Sequence, residues 1–319
     1  MIGRRGVLGF GLAAVAAGAA RGASRAGARR PAYPRRDLEG VWTTASYTDL
    51  ERPAELKGLV LTEAQAAAYE APRRAMHGLL PSKPGEVGQA ENEWVDRGDG
   101  LARVKGQIRS SWIIDPPDGR IPYDKAGLAR WRAGIVWAEE KLEDPEDLNG
   151  PERCLANMAT GAPLAVAPDS NLLQILQTRD DVVILTEKYH DARIVRLSDT
   201  WRPSPLPRSW LGDCIGRWEG DALVVETEGM HAGVTVRGLH FAVSEATKVV
   251  ERFTRSGPDE LFYEFAVEDP VIYTARWRGE MALKRSDQRL FEYACHEGNY
   301  SLPGILAGAR RGEREAAGK

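Results

Sequence analysis

Alternation of apolar and polar positions dominates the second half of the chain. In Leu261-Phe-Tyr-Glu-Phe-Ala-Val-Glu268 a two-residue period puts Leu261, Tyr263, Phe265 and Val267 on one face and Glu264 and Glu268 on the other, the pattern of a half-buried strand. Similar segments recur from Asn171 onward, separated by tight polar turns. Leu172 to Thr178 and Val182 to Glu187 flank Arg179-Asp-Asp181, and Arg193 to Leu197 follows. Trp218-Glu-Gly-Asp221 predicts a reversal before Leu223 to Thr227. Val249 to Arg255 is expected to pair with Leu261 to Glu268 across Ser256-Gly-Pro-Asp259, and Arg276 to Arg285 with Leu290 to Cys295 across Ser286-Asp-Gln288. The pattern is a meander of hairpins.

The first half reads differently. Asp37-Leu-Glu-Gly40-Val-Trp42-Thr-Thr predicts a short strand suited to open a barrel. Thr62-Glu-Ala-Gln65 has capping-box spacing and starts a helix that Pro72 is expected to stop after Ala71. Leu128, Trp131, Ile135, Ala138 and Leu142 recur at helical spacing and predict a second helix from Asp124 to Leu142. Eight or nine strands with helices confined to the first half point to a mainly β fold. The expected architecture is an antiparallel, lipocalin-like β-barrel with helices added from the N-terminal half; a two-sheet sandwich is the competing arrangement. No repeat and no linker divides residues 37–309, which are read as one domain, and residues 310–319 as a disordered tail.

The N-terminus carries an address. Arg4 and Arg5 precede an uncharged run from Val7 to Ala20, and small residues follow at Ala23 and Ala26. Residues 1–26 are therefore expected to be an export signal resembling the twin-arginine type, with an ordinary secretory signal as the alternative. The apolar run is shorter than a bilayer core requires, so no membrane span is expected in the mature form. Residues 27–36, rich in Arg, Pro and Ala, are read as a flexible tether. The expected location is the periplasm or the exterior.

At 43% hydrophobic and 28% charged residues, the 319-residue chain is no collagen-like, wholly disordered or multi-span membrane protein. Its 43 basic and 46 acidic residues offer no basic excess for a phosphate backbone, and nucleic acid is not an expected partner. Loss of residues 1–26 removes four arginines and no acid, moving the formal charge from −3 to −7. Of the three cysteines, Cys154 and Cys295 are the preferred disulfide, tying mid-chain to the last expected strand; three buried free thiols are the alternative.

No Gly-x-Ser-x-Gly elbow, Walker loop or His-Glu-x-x-His helix occurs in the mature chain, and its five histidines lie in no recognised zinc spacing. No cofactor or metal is expected. The informative feature is ionisable residues where strand periodicity predicts an inward face. Glu251 shares a face with Val249 and Phe253, and His190-Asp191 adjoins the strand ending at Leu197. A buried charge costs several kcal/mol unless paired, so such groups form ion pairs or do chemistry. The structural reading is an interior pair such as Glu251 with Arg193 or Arg252. The chemical reading has His190 transferring a proton, Asp191 or Glu251 setting its pKa, and His296 at the exit of the last strand contacting substrate. Trp42, Arg193, Trp218, Tyr263 and Tyr293 are the candidate ligand contacts.

Several segments, among them Asp115-Pro-Pro-Asp-Gly-Arg-Ile-Pro122, Glu152-Arg-Cys-Leu155, His190-Asp-Ala-Arg-Ile194, Trp210-Leu-Gly-Asp213, Gly216-Arg-Trp-Glu-Gly-Asp221, Val250-Glu-Arg-Phe-Thr254 and Tyr293-Ala-Cys-His-Glu-Gly-Asn-Tyr300, resemble a large group of exported bacterial proteins of unknown function. The resemblance spans most of residues 105–309 and implies export and a single fold rather than a reaction. Cys214 departs from the group's usual Ser, which favours it as the unpaired thiol; Glu228-Gly-Met230 departs from its usual Asn and aromatic. The functional expectation is a cofactor-independent lyase, hydratase or isomerase acting on a small apolar or aromatic molecule. The alternatives are a carrier of an apolar ligand and an envelope scaffold.

Overall fold

The computed structural model describes residues 34–78, 96–133, 144–148, 150, 152–156, 158–167, 169–198, 209–232 and 241–318. The export signal, most of the tether and the second half of the expected Asp124–Leu142 helix lie outside the described residues.

Ten strands form the main sheet: β1 (Gly40–Thr43), β5 (Ile113–Asp115), β6 (Leu172–Gln177), β7 (Asp181–Thr186), β8 (Ala192–Leu197), β9 (Asp213–Glu219), β10 (Ala222–Glu228), β11 (Lys248–Gly257), β12 (Glu260–Glu268) and β13 (Trp277–Arg285). Their order is β1-β6-β7-β8-β9-β10-β11-β12-β13, and β13 returns to β1 through Trp42↔Arg285 and Thr43↔Lys284, closing a nine-strand barrel. β5 pairs with the other half of β13, at Arg278↔Asp115 and Gly279↔Ile113.

The barrel is mixed, which corrects the expectation of a wholly antiparallel one. β8 and β9 run parallel, with Val195 opposite Cys214. A ring of strands alternates direction all the way round only if their number is even, so nine strands require a parallel junction. A parallel pair cannot be joined by a tight hairpin and needs a longer connection.

Alternation predicts the inward face well. β11 and β12 bury every second residue, including Val249, Glu251, Phe253, Leu261, Tyr263, Phe265 and Val267. Gly279 on β13 lets the neighbouring strand supply a large ring: an added Cβ would lie 2.3 Å from the Phe265 ring. Trp42, Phe253, Tyr263, Phe265 and Trp277 belong to one continuous core, joined by Ala162 and Leu164 and by Phe241 to Val243 from connecting segments. Bulky inward side chains and inserted chain meet in this core, and the lipocalin-like form of the barrel stays an expectation.

The expected final hairpin does not form, and Leu290–Cys295 is not a strand. The edge of β13 that it would need is occupied by β1 and β5. Cys295 instead opens a one-turn helix, α3 (Cys295–Gly298), followed by α4 (Ser301–Ala317). The tail expected to be disordered is therefore largely helical. Its Ala-, Arg- and Glu-rich composition favours helix, and Arg311 pairs with Glu315 at 2.8 Å one turn on.

In the first half, β2 (Val60–Leu61), β3 (Arg103–Val104) and β4 (Gln107–Arg109) form a small second sheet in the order β2-β4-β3. Helix α1 (Glu63–Gly78) has a separate core with it, through Ala66, Tyr69, Leu61 and Ile108. The capping box is present: the Gln65 N–H donates to Thr62 Oγ1 at 3.3 Å, and the Thr62 N–H to Gln65 Oε1 at 2.9 Å. Pro72 does not end this helix. Ala68, whose carbonyl loses its helical partner to the proline, is on the exposed face, where an unpaired carbonyl is not a buried polar group. Helix α2 (Lys125–Ala133) is the described part of the second expected helix. The end of the tether is also held: Arg35 pairs with Asp221 at 2.9 Å and Arg36 Nε donates to the Gly220 carbonyl at 2.8 Å.

Candidate functional site

The barrel interior contains a sealed ionic cluster. Arg193, inward-facing on β8, donates from Nη1 to Glu251 Oε2 at 2.8 Å and from Nη2 to Oε1 at 3.0 Å. Glu251 lies on β11, with β9 and β10 between the two strands, so the pair bridges the interior rather than adjacent strands. Tyr263 Oη donates to Glu251 Oε1 at 2.7 Å and accepts the Leu164 N–H at 2.9 Å. Both charged side chains are almost wholly removed from solvent, at 1% and 0% exposure. Burial by itself disfavours charge on Arg193, but the Glu251 carboxylate more than offsets it and holds the guanidinium firmly protonated. Burial, then the Glu251 charge, pushes the Tyr263 hydroxyl well above the ordinary phenol range. Trp42 joins the same core, its Nε1 donating to the Leu38 carbonyl at 3.0 Å, with Arg255 and Arg285 over its ring. A bidentate, hydrogen-bonded pair of this kind holds strands in place.

Two residues before Arg193 the environment changes. Asp191 enters β8 from a turn in which Tyr189 and His190 both take left-handed backbone angles, φ 59° and 56°. The Asp191 side chain is half-buried, and Thr160 Oγ1 donates to its Oδ2 at 2.7 Å. Burial pushes its pKa up to about 6, the Thr160 hydrogen bond acting in the opposite sense. Asp191 lines a cavity of about 1070 Å³ at the end of the β8–β9 junction, together with Leu155, Trp210, Leu211 and Lys248. The cavity wall also carries charge pairs: Arg196 contacts Asp213 at 2.7 Å, and Lys248 contacts Glu228 at 3.0 Å. The chain around Trp210 folds inward at Gly212, whose φ is +80° and whose Cβ, if present, would lie 2.6 Å from the Glu228 carbonyl.

The expected residues thus divide into separate places. Arg193, Glu251 and Tyr263 meet in the interior, and Asp191 stands on the cavity wall. His190 does not join them. The two left-handed residues reverse the chain between β7 and β8, break the strand alternation, and leave His190 exposed. His296 is likewise exposed, because the expected last strand is the one-turn helix α3. Trp218 is half-buried beneath Arg36, whose guanidinium sits 5.6 Å from its ring centroid. Tyr293 lies at a different cavity, stacked on Tyr189 with centroids 5.1 Å apart. Cys154 and Cys295 form the disulfide, with Cα atoms 5.7 Å apart, and Cys214 is a buried free thiol 3.3 Å from Thr227 Oγ1.

Sequence reasoning missed Thr160, which is 31 residues from Asp191 and carries no local signal. Trp210, one of several tryptophans that offer stacking surface in the sequence, is placed here by the left-handed Gly212 that follows it. Among the described residues no three His, Cys, Asp or Glu side chains gather into a metal-binding group, and no helix is long and apolar enough to cross a membrane. The disulfide is compatible with an extracellular or periplasmic protein. No protein-family model, curated protein or solved structure matches the chain.

Proposed function

We propose that this is an exported enzyme of the lyase, hydratase or isomerase kind, moving a proton on a small molecule held in the cavity beside Asp191. The observation that carries this reading is a half-buried carboxyl with one hydrogen-bond donor, Thr160, on the wall of a cavity of small-molecule size. Such a group, titrating close to neutral pH, takes a proton from substrate and returns it without a large driving-force mismatch. Trp210, Leu211 and Leu155 supply the apolar and aromatic surface for the substrate's body. Arg193 acts here as a positioning residue: its clamp on Glu251 fixes β8 and therefore the start of the strand where Asp191 stands. Asp191 replaces His190 as the proton carrier, because His190 faces solvent.

A proton-transfer enzyme working in heavy water leaves an isotopic mark on the molecule it acts upon. The oxidised protein, incubated in D₂O with a mixture of small aromatic, hydroxylated and unsaturated compounds, is expected to introduce deuterium into one of them or to form a new product. Asp191→Asn is expected to reduce that rate by roughly 10²–10⁴-fold, with the fold verified by circular dichroism. An Asp191→Asn protein that retains full turnover overturns the assignment. Recovery of an unchanged compound in one-to-one ratio with protein, with no exchange, favours the carrier reading instead. Export by the twin-arginine-like signal is part of the same proposal: Arg4→Lys with Arg5→Lys is expected to leave the protein in the cytoplasm.

A further inference from the structure

A second cavity, of about 1100 Å³, lies between the β7–β8 turn, residues 288–295 and the start of α4. It does not depend on the Asp191 reading and shares none of that cavity's lining residues. Three aromatic rings, Tyr189, Phe291 and Tyr293, stand in its wall. Tyr189 and Tyr293 stack at 5.1 Å with their planes 30° apart, and Phe291, two residues before Tyr293, is 71% exposed, an unusual position for a large apolar ring. The left-handed backbone at Tyr189 belongs to the arrangement that brings its ring against Tyr293. The disulfide joins the two motif segments Glu152 to Leu155 and Tyr293 to Tyr300 at this cavity, and Asn299 Nδ2 reinforces it by donating to the Glu152 carbonyl at 2.8 Å.

Acidic residues predominate in the lining, one of them, Asp169, being paired with Lys188. Among the described lining residues five are Asp or Glu and none is Lys or Arg. Glu187 is held next to Phe291 by accepting its backbone N–H at 3.0 Å, and Glu292 follows Phe291 directly. Lys188, tied to Asp169 at 2.7 Å, lies 5.2 Å from the Tyr293 ring centroid and 6.0 Å from that of Tyr189, a cation already resting on these rings. Exposed aromatic faces attract cations through their quadrupole, and surrounding carboxylates add the same sign of preference. We propose that this cavity binds a small organic cation, an ammonium group carried on a flat apolar body, with Tyr189, Phe291 and Tyr293 as its surface and Glu187 and Glu292 as its counter-charges.

The test uses benzyltrimethylammonium as the probe, titrated into the full oxidised protein and followed by calorimetry and saturation-transfer NMR, with benzyl alcohol and benzenesulfonate as neutral and anionic comparisons. Saturable binding is expected for the cation, at least about tenfold tighter than for either comparison compound. Tyr293→Phe is expected to keep the affinity and Tyr293→Ala to weaken it roughly 3–30-fold. Glu292→Lys sits on an exposed side chain and leaves the core untouched; it is expected to weaken the cation by about tenfold or more and to spare benzyl alcohol. Asp191→Asn is expected to have no effect. Equal affinity for benzyl alcohol, indifference to Glu292→Lys, or absence of saturable binding up to tens of millimolar, roughly the weak limit of such contacts, would each overturn the proposal.

Discussion

Arg193 and Glu251 meet inside the barrel through two parallel hydrogen bonds of 2.8 and 3.0 Å, joining β8 to β11 across the two strands that separate them in the sheet. β8 also begins the parallel junction, where the chain leaves the meander. The pair therefore fastens the irregular side of the barrel to its regular side. A fully buried ion pair owes its energy to having both partners, and removing one leaves the other as an uncompensated charge.

The first prediction follows from that asymmetry. Glu251→Gln or Arg193→Met alone is expected to lower unfolding free energy by about 3–5 kcal/mol. The double variant Arg193→Met/Glu251→Leu, which removes both charges, is expected to regain most of that loss. Denaturant unfolding of the three proteins measures it; additive losses in the double variant contradict the coupling.

Asp191 makes a second prediction with a definite sign. Its folded pKa of about 6 stands above the ordinary 3.8 of an aspartate, so between these values the native state keeps a proton that the unfolded chain has lost. Stability contributed by this group is complete below the lower value and is lost as pH rises through the upper one. Asp191→Asn removes that dependence. It is expected to stabilise the protein by on the order of 1 kcal/mol at about pH 7.5, allowing for the partial exposure of the group, and by nothing near pH 3.5. Thermal unfolding at the two pH values decides it, and loss of activity together with gain of stability is the signature of a functional group held in an unfavourable setting.

A third prediction concerns the disulfide. Cys154 and Cys295 are 141 residues apart, and closing so long a loop restricts the unfolded chain severely. Cys154→Ser/Cys295→Ser is expected to lose about 2–5 kcal/mol. The segment after β13 has no strand partner to hold it, so limited proteolysis of the reduced or substituted protein is expected to cut first between Ser286 and Tyr300. Protection of that segment equal to the oxidised protein's would count against this.

The close approach of β13 to the Phe265 ring provides a fourth. Gly279→Ala places a methyl where the ring stands and is expected to cost about 1–3 kcal/mol through overpacking. Phe265→Leu, made in the Gly279→Ala background, is expected to recover part of the loss. A Gly279→Ala protein as stable as the parent would show that the ring moves freely.

Alternation along β6 to β12 was enough to read a mainly β fold, most of its strands, and the inward positions of Glu251, Tyr263 and Phe265, because strand periodicity is written residue by residue. The capping box at Thr62 and Gln65 was legible for the same reason: its hydrogen bonds join residues three apart. The helical tail was legible in composition, and the expectation of fraying overlooked its Arg–Glu spacing. The Cys154–Cys295 pairing was a choice among few alternatives, narrowed by having only three cysteines.

Tertiary structure decided the rest. Whether Leu290–Cys295 becomes a strand depends on whether β13 still has a free edge, and β1, from the far end of the chain, takes it. Parity imposes a parallel junction only once nine strands close. His190 and Asp191 are adjacent in sequence, yet two left-handed residues send one into solvent and the other to a cavity wall beneath Thr160. A side chain's facing is a local property along a regular strand, whereas at a turn it depends on what the rest of the chain packs against it. Here that boundary falls between Tyr189 and Arg193.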